Sequence, residues 1–226
     1  MTPGSPSVAI EPPKPRLRGR LHQAAAFVAI PAGIVLILIA HTTTARIAAV
    51  VYAISLIGMY AVSGSYHRLH WTPKARMRIK RADHSMIYVL IAGTCTPVAL
   101  VALQRPWSIV MLVVVWTGAS VGIALKMTRI EGFKVATATL YIALGWIVVL
   151  MGPLLVHGLS LAAICLVAVG GVLYMSGAVV LLRHKPDPSP AVFGYHEIWH
   201  SMVVAASACH YAAVLLILLP IRAAVG

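Results

Sequence analysis

His196 and His200 stand four residues apart in the segment Phe193-Gly-Tyr-His-Glu-Ile-Trp-His200. On a helix that spacing puts both imidazoles on one face, one turn from each other, so a single element can offer two nitrogen ligands to one metal ion. His67, at the end of an earlier apolar stretch, supplies a third nitrogen. Three imidazoles with an open fourth position are the donor set of a catalytic zinc, Zn(2+), whose chemistry is to lower the pKa of bound water toward about 7. Two oxygen groups accompany them. Asp83 opens the next apolar stretch, and its carboxylate can accept a hydrogen bond from such a water or act as its base. The cost of an acid beside hydrocarbon argues for a definite partner. Ser63 precedes His67 by one turn on the same helix face, so its hydroxyl can point toward the metal or toward a substrate carbonyl. An HxxxH pair alone is a weak signal, because histidines near membrane interfaces often face headgroups; convergence of separate elements is what gives it weight.

These residues are far apart in the chain, so the elements that carry them must bring them together. Of the 226 residues, 60% are hydrophobic and only 10% charged, with apolar runs near the roughly 20-residue length that spans a bilayer. The expected fold class is all-α, an integral membrane bundle of seven transmembrane helices over 23–40, 45–66, 83–103, 107–125, 135–153, 158–182 and 197–219. Seven spans and their connections occupy 21–226 and leave no room for a second folded domain. Residues 1–20, rich in proline and basic residues, are expected to form a disordered cytoplasmic tail. The first apolar run is longer than the hydrophobic region of a signal peptide and lacks a cleavage signal, so it reads as a retained span.

Charge orients the bundle. Lys14, Arg16, Arg18 and Arg20 precede the first span; Arg68, Lys74, Arg76, Arg78, Lys80 and Arg81 follow the second; Lys126, Arg129 and Lys134 follow the fourth; Arg183 and Lys185 follow the sixth. Only Arg46, Arg105 and Arg222 remain for the other face. This asymmetry places the N-terminus in the cytoplasm and the C-terminus outside, in a multi-pass protein of the inner (plasma) membrane. The ends of spans two, three and seven that carry His67, Asp83, His196 and His200 then share the cytoplasmic face. The net charge of +13 needs no nucleic-acid partner, because basic residues near that leaflet attract anionic headgroups at about 1 kcal/mol each.

Other candidates read as structural. Cys95, Cys165 and Cys209 all fall inside spans, without the spacing of a thiolate metal site, and are expected to be small buried apolar residues. Gly118 and Gly122 form a small-xxx-small pair that permits close helix contact. His70 belongs to a solvated basic connection, His84 to packing or to a contact behind the ligands, and His210 lies too deep for the same site. His41 and His157 fall at the opposite face.

Three segments resemble the signature regions of the hemolysin III family: Ser63-Gly-Ser-Tyr-His67, the run from Asp83 through Thr94-Cys-Thr-Pro97, and Phe193 to His200. This is the bacterial branch of the progestin and adipoQ receptor superfamily, which includes the adiponectin receptors. The resemblance implies a seven-helix bundle with a cytoplasmic N-terminus. It also implies a zinc near that surface held by His67, His196 and His200, with Asp83 holding the metal-bound water and Ser63 nearby. A similar arrangement occurs in the alkaline ceramidases, which hydrolyse a lipid amide. Two departures stand out. Relatives carry an acidic residue and an Asn ahead of a His-Gly pair in the first span, where this chain has Arg18-Gly-Arg-Leu-His22-Gln23, and Cys95 stands where a tyrosine is common.

The expected function is zinc-dependent hydrolysis of a membrane lipid amide or ester by metal-activated water, with Asp83 moving the proton and Ser63 aiding the developing oxyanion. The alternative is a non-enzymatic receptor or regulator of lipid homeostasis whose zinc ties the second and seventh helices together.

Overall fold

The structure is a computed structural model that describes residues 15–128 and 132–219. Among them the regular elements are helices: α1 (Arg20–Ile39), α2 (Thr43–Arg68), α3 (Pro73–Pro97), α4 (Trp107–Thr128), α5 (Lys134–Leu150), the one-turn α6 (Gly152–Leu155), α7 (Leu161–Arg183) and α8 (Tyr195–Leu218). Their starts follow local chemistry. The hydroxyls of Thr42, Thr72 and Ser160 accept the amides of Ala45, Ala75 and Ala163, which satisfies one orphan donor at each N-terminus. Pro73 occupies the first turn of α3, where its missing N–H costs nothing. At the other end of α3, Pro97 cannot donate into the ladder, and the chain continues as a π-helical turn over Val98–Ala102.

Six helices are long and apolar enough to cross a membrane: α1, α2, α3 with its π extension, α4, α7 and α8. The apolar part of α5, Val135–Leu150, is shorter. α3 begins ten residues before the apolar stretch at Asp83, so the basic run Lys74 to Arg81 forms its first turns. Asp83 therefore sits inside a helix rather than at its start.

Burial is distributed as a bilayer solvent requires. Phe27, Leu38, Leu161 and Leu182 are among many large apolar side chains that face outward, with Leu182 83% exposed. A water-soluble surface does not tolerate so continuous an apolar exterior. Inside, one cluster joins α1, α2 and α8 through Leu36, Tyr52, Leu56 and Val214. A second joins α3, α4 and α5 through Tyr88, Met111, Val115 and Leu144. The small residues allow this closeness: a Cβ on Gly122 would fall 2.3 Å from the Tyr88 ring, and one on Gly118 2.6 Å from Leu144. Sequential helices pack on each other, and α1 closes against α8. Of the three cysteines, Cys95 is buried, whereas Cys165 lies on the exposed face of α7. That corrects the expectation of burial for Cys165.

Pro15–Gly19 is the described end of the tail. The amides of Arg16 and Leu17 donate to the carbonyls of Ala191 and Val192, at 3.0 and 3.2 Å, so this strap is tied to the connection before α8. Residues 1–14 of the expected tail, with Lys14, lie outside the described residues, as do Arg129, Arg222 and Gly226.

Candidate metal centre

The end of α2 and the start of α8 bring His67, His196 and His200 together, with one nitrogen from each within 4.8 Å of the others. It is the one such His, Cys, Asp or Glu group among the described residues. The Nε2 atoms of His67 and His196 are 3.4 Å apart. Two imidazole nitrogens bound tetrahedrally to zinc at about 2.0–2.1 Å would be separated by roughly 3.3–3.4 Å, so this distance matches one edge of the coordination polyhedron. Nε2 of His200, a residue only 1% exposed, is buried without a protein hydrogen-bond partner. A buried polar atom seldom goes unmatched. The donor chemistry and the orphaned atom both fit a metal ion.

Ser63 and Asp83 approach as a linked pair. Ser63 is buried, and its hydroxyl lies close to the Asp83 carboxyl. Asp83 keeps 14% of its side chain exposed and lies 3.9 Å from Nδ1 of His84. That imidazole bonds the Lys80 carbonyl at 2.8 Å, a contact within its own helix. Tyr141 of α5 donates to the His84 carbonyl at 3.1 Å and Tyr88 donates to the Thr137 carbonyl at 3.0 Å, so α5 buttresses the stretch of α3 that carries Asp83. His70 is exposed. His210 is apart from the cluster and pairs with the Val167 carbonyl at 3.3 Å.

Four residues that sequence reasoning did not place in the site, Arg18, Gly19, His22 and Glu197, belong to it. His22, 2% exposed near the start of α1, stacks on His200 with ring centroids 3.8 Å apart and planes 10° from parallel. Its Nδ1 lies 2.9 Å from the Ser63 hydroxyl. Glu197, only 1% exposed between His196 and His200, takes an ion pair from Arg18 and accepts the Gly194 amide at 2.9 Å. Gly19, between Arg18 and α1, has φ +76, and a Cβ there would fall 2.5 Å from that of His67. The strap thus presses directly on His67, which only glycine permits.

A multi-helix membrane protein with a cluster of three histidines at one end of its bundle is the class that this fold and site define. The family model of haemolysin-III-related proteins matches residues 10–211, and the chain belongs to that family. It is 35% identical over 202 residues to "Hemolysin-3" of Bacillus cereus, covering 88% of this chain and 89% of that protein. To the "Hemolysin-3 homolog" of Bacillus subtilis (strain 168) it is 33% identical over 166 residues, covering 73% and 74%. Similarity also reaches "Monocyte to macrophage differentiation factor" of Homo sapiens, at 26% over 174 residues covering 75% and 69%. The mammalian likeness fits membership of the progestin and adipoQ receptor superfamily.

Proposed function

We propose that this chain is a zinc-dependent hydrolase of a membrane lipid amide or ester. The observation that carries the reading is the pairing of the 3.4 Å separation between two ligand nitrogens with the unmatched Nε2 of His200. In it His67, His196 and His200 hold the ion, which when bound supplies a Lewis acid and a more acidic water. Asp83 takes the proton of the attacking water and delivers it to the leaving group. Ser63 offers its hydroxyl to the substrate carbonyl.

The reading places the site at the cytoplasmic side of the inner (plasma) membrane, in a seven-span bundle with the N-terminus inside. α5 provides the fifth crossing: its 17 residues span about 25 Å, and α6 extends the segment past the roughly 30 Å of the hydrocarbon core. The acyl chain enters from the bilayer between α5 and α7. Support for that route is that α7 packs chiefly on α8, and that a small cavity of about 30 Å³ lies there, among Val148, Val167, His210 and Ile217. Anionic headgroups gather at the basic start of α3. There a groove of about 360 Å³ is lined by Tyr66, Trp71, Pro73, Arg76, Met77 and Lys80, an interfacial mix of aromatic and basic side chains.

Elemental analysis of the purified protein tests the metal assignment. About one zinc per chain is expected in the wild type, with marked loss in each of His67→Ala, His196→Ala and His200→Ala; full retention in any two variants defeats it. Turnover of lipid amides and esters by the zinc-loaded wild type then tests the chemistry. A second reading, a receptor or regulator with a structural zinc, draws on the strap. Arg18–Glu197 and the backbone bonds to Ala191 and Val192 already join α1 to α8, so a metal between α2 and α8 would complete a three-helix clasp. Absence of turnover across several lipid classes in a zinc-loaded protein favours that reading.

A further inference from the structure

We propose that His22 is a positioning residue of the metal centre: its ring holds the imidazole of His200 and its Nδ1 holds the Ser63 hydroxyl. The proposal rests on the metal reading for its first half and is independent of it for its second.

The geometry assigns His22 two different jobs through two different parts of one side chain. Its flat face lies on His200, 3.8 Å between centroids and 10° from parallel. Its edge meets Tyr60 in a T-shaped contact at 5.2 Å, so the ring is clamped rather than free to turn. A ligand imidazole sandwiched this way loses rotational freedom about its own χ2 before any ion arrives. Metal-ligating histidines generally need such an orienting partner, most often a hydrogen bond to the second ring nitrogen. Here the stacked face does that work.

The second job is a contact between polar atoms. Nδ1 of His22 lies 2.9 Å from the Ser63 hydroxyl, and both side chains are buried. One of the two atoms donates and the other accepts, so each satisfies the other away from water and fixes where the Ser63 hydroxyl sits.

Two substitutions separate the jobs. His22→Asn keeps an N–H donor near the position of Nδ1 and removes the ring. His22→Phe keeps the ring and removes the nitrogen that meets Ser63. Zinc affinity of the purified full-length chain is read by competition with a chromophoric chelator, and the ligand field by the visible absorption of the cobalt(II)-loaded protein. His22→Asn is expected to weaken zinc about 10- to 100-fold and to shift the cobalt bands, while His22→Phe changes the affinity less than about threefold. The hydrogen bond is read without metal: thermal unfolding of His22→Phe, Ser63→Ala and the double variant, all metal-free, should be non-additive. A fold requirement alone would lower the melting temperature in both variants and leave the cobalt spectrum of the surviving protein unchanged. Wild-type zinc affinity in His22→Asn overturns the hold on His200. Additive melting shifts overturn the hold on Ser63. A wild type that takes up neither zinc nor cobalt overturns the metal reading and the stacking half with it, and the unfolding cycle still decides the other half.

Discussion

At the scale of single residues, the proposed function separates groups that hold from groups that react. Asp83 has no place in the three-histidine set, and Ser63 stands beside it, so Asp83→Asn should leave zinc content near that of the wild type while lowering lipid turnover by at least about 100-fold, because an amide cannot act as a base. Parallel zinc analysis and turnover check this; unchanged turnover in a folded, zinc-loaded variant removes Asp83 from the chemistry. Glu197 makes a different demand. Its carboxylate is 1% exposed and Arg18 is its cation, so Arg18→Ala strands a buried charge and should destabilise the fold by about 3–5 kcal/mol. Glu197→Gln, which keeps an acceptor for the Gly194 amide, should cost less. Denaturation in detergent gives the order, and equal losses would mean the pair is not coupled.

The meeting of His67, His196 and His200 was legible in the sequence because helical periodicity and charge asymmetry together predict which ends of which helices come together. Arg18, His22 and Glu197 were not. Arg18 reads as one more tail charge until the strap folds back on Ala191 and Val192, and Glu197 reads as a lone acid until that strap delivers its cation. His22 stands alone in its own segment, and stacking on a residue 178 positions later in the numbering leaves no local periodic trace.

At the scale of elements, close approach is set by small residues. Gly122 lets the Tyr88 ring lie flat against α4, and that tyrosine in turn stacks on Tyr141 at 4.2 Å and bonds the Thr137 carbonyl. Gly122→Leu should therefore push α4 from α3 and destabilise the bundle by about 1–3 kcal/mol. Gly145, with nothing within 4 Å of an added Cβ, should accept alanine without loss. Melting temperatures of the two variants make the comparison. The small-xxx-small spacing pointed to this contact in advance, although nothing local names Tyr88 as the partner. The early start of α3 also had a signal, a Thr-Pro pair at 72–73, which the search for apolar length passes over because the turns that follow are basic. The break between α5 and α6 has a similar origin, since Gly152-Pro153 follows Met151 inside a run that hydropathy alone reads as continuous.

At the scale of the whole molecule, the strap constrains topology by parity. Arg16 and Leu17 precede α1, Ala191 and Val192 precede α8, and their backbones are hydrogen-bonded, so the chain must return to its starting side between them. On the proposed topology α1, α2, α3, α4 and α7, each long and apolar enough to cross, make five crossings, an odd number. A return then calls for a sixth, which the proposal assigns to α5 with α6. α8 carries the chain across once more, the arrangement in which fifteen lysines and arginines share one face and three the other. Reporter fusions test the arithmetic at three points. A reporter inserted after Phe133 should act in the cytoplasm, one after Gly158 outside, and one at the C-terminus outside. The decisive pair is the first two, because they flank the shortest apolar helix. If both report the same side, α5 does not cross, the C-terminus moves to the cytoplasm for a cytoplasmic start, and the strap would need to join segments on opposite sides of the bilayer, which its hydrogen bonds forbid.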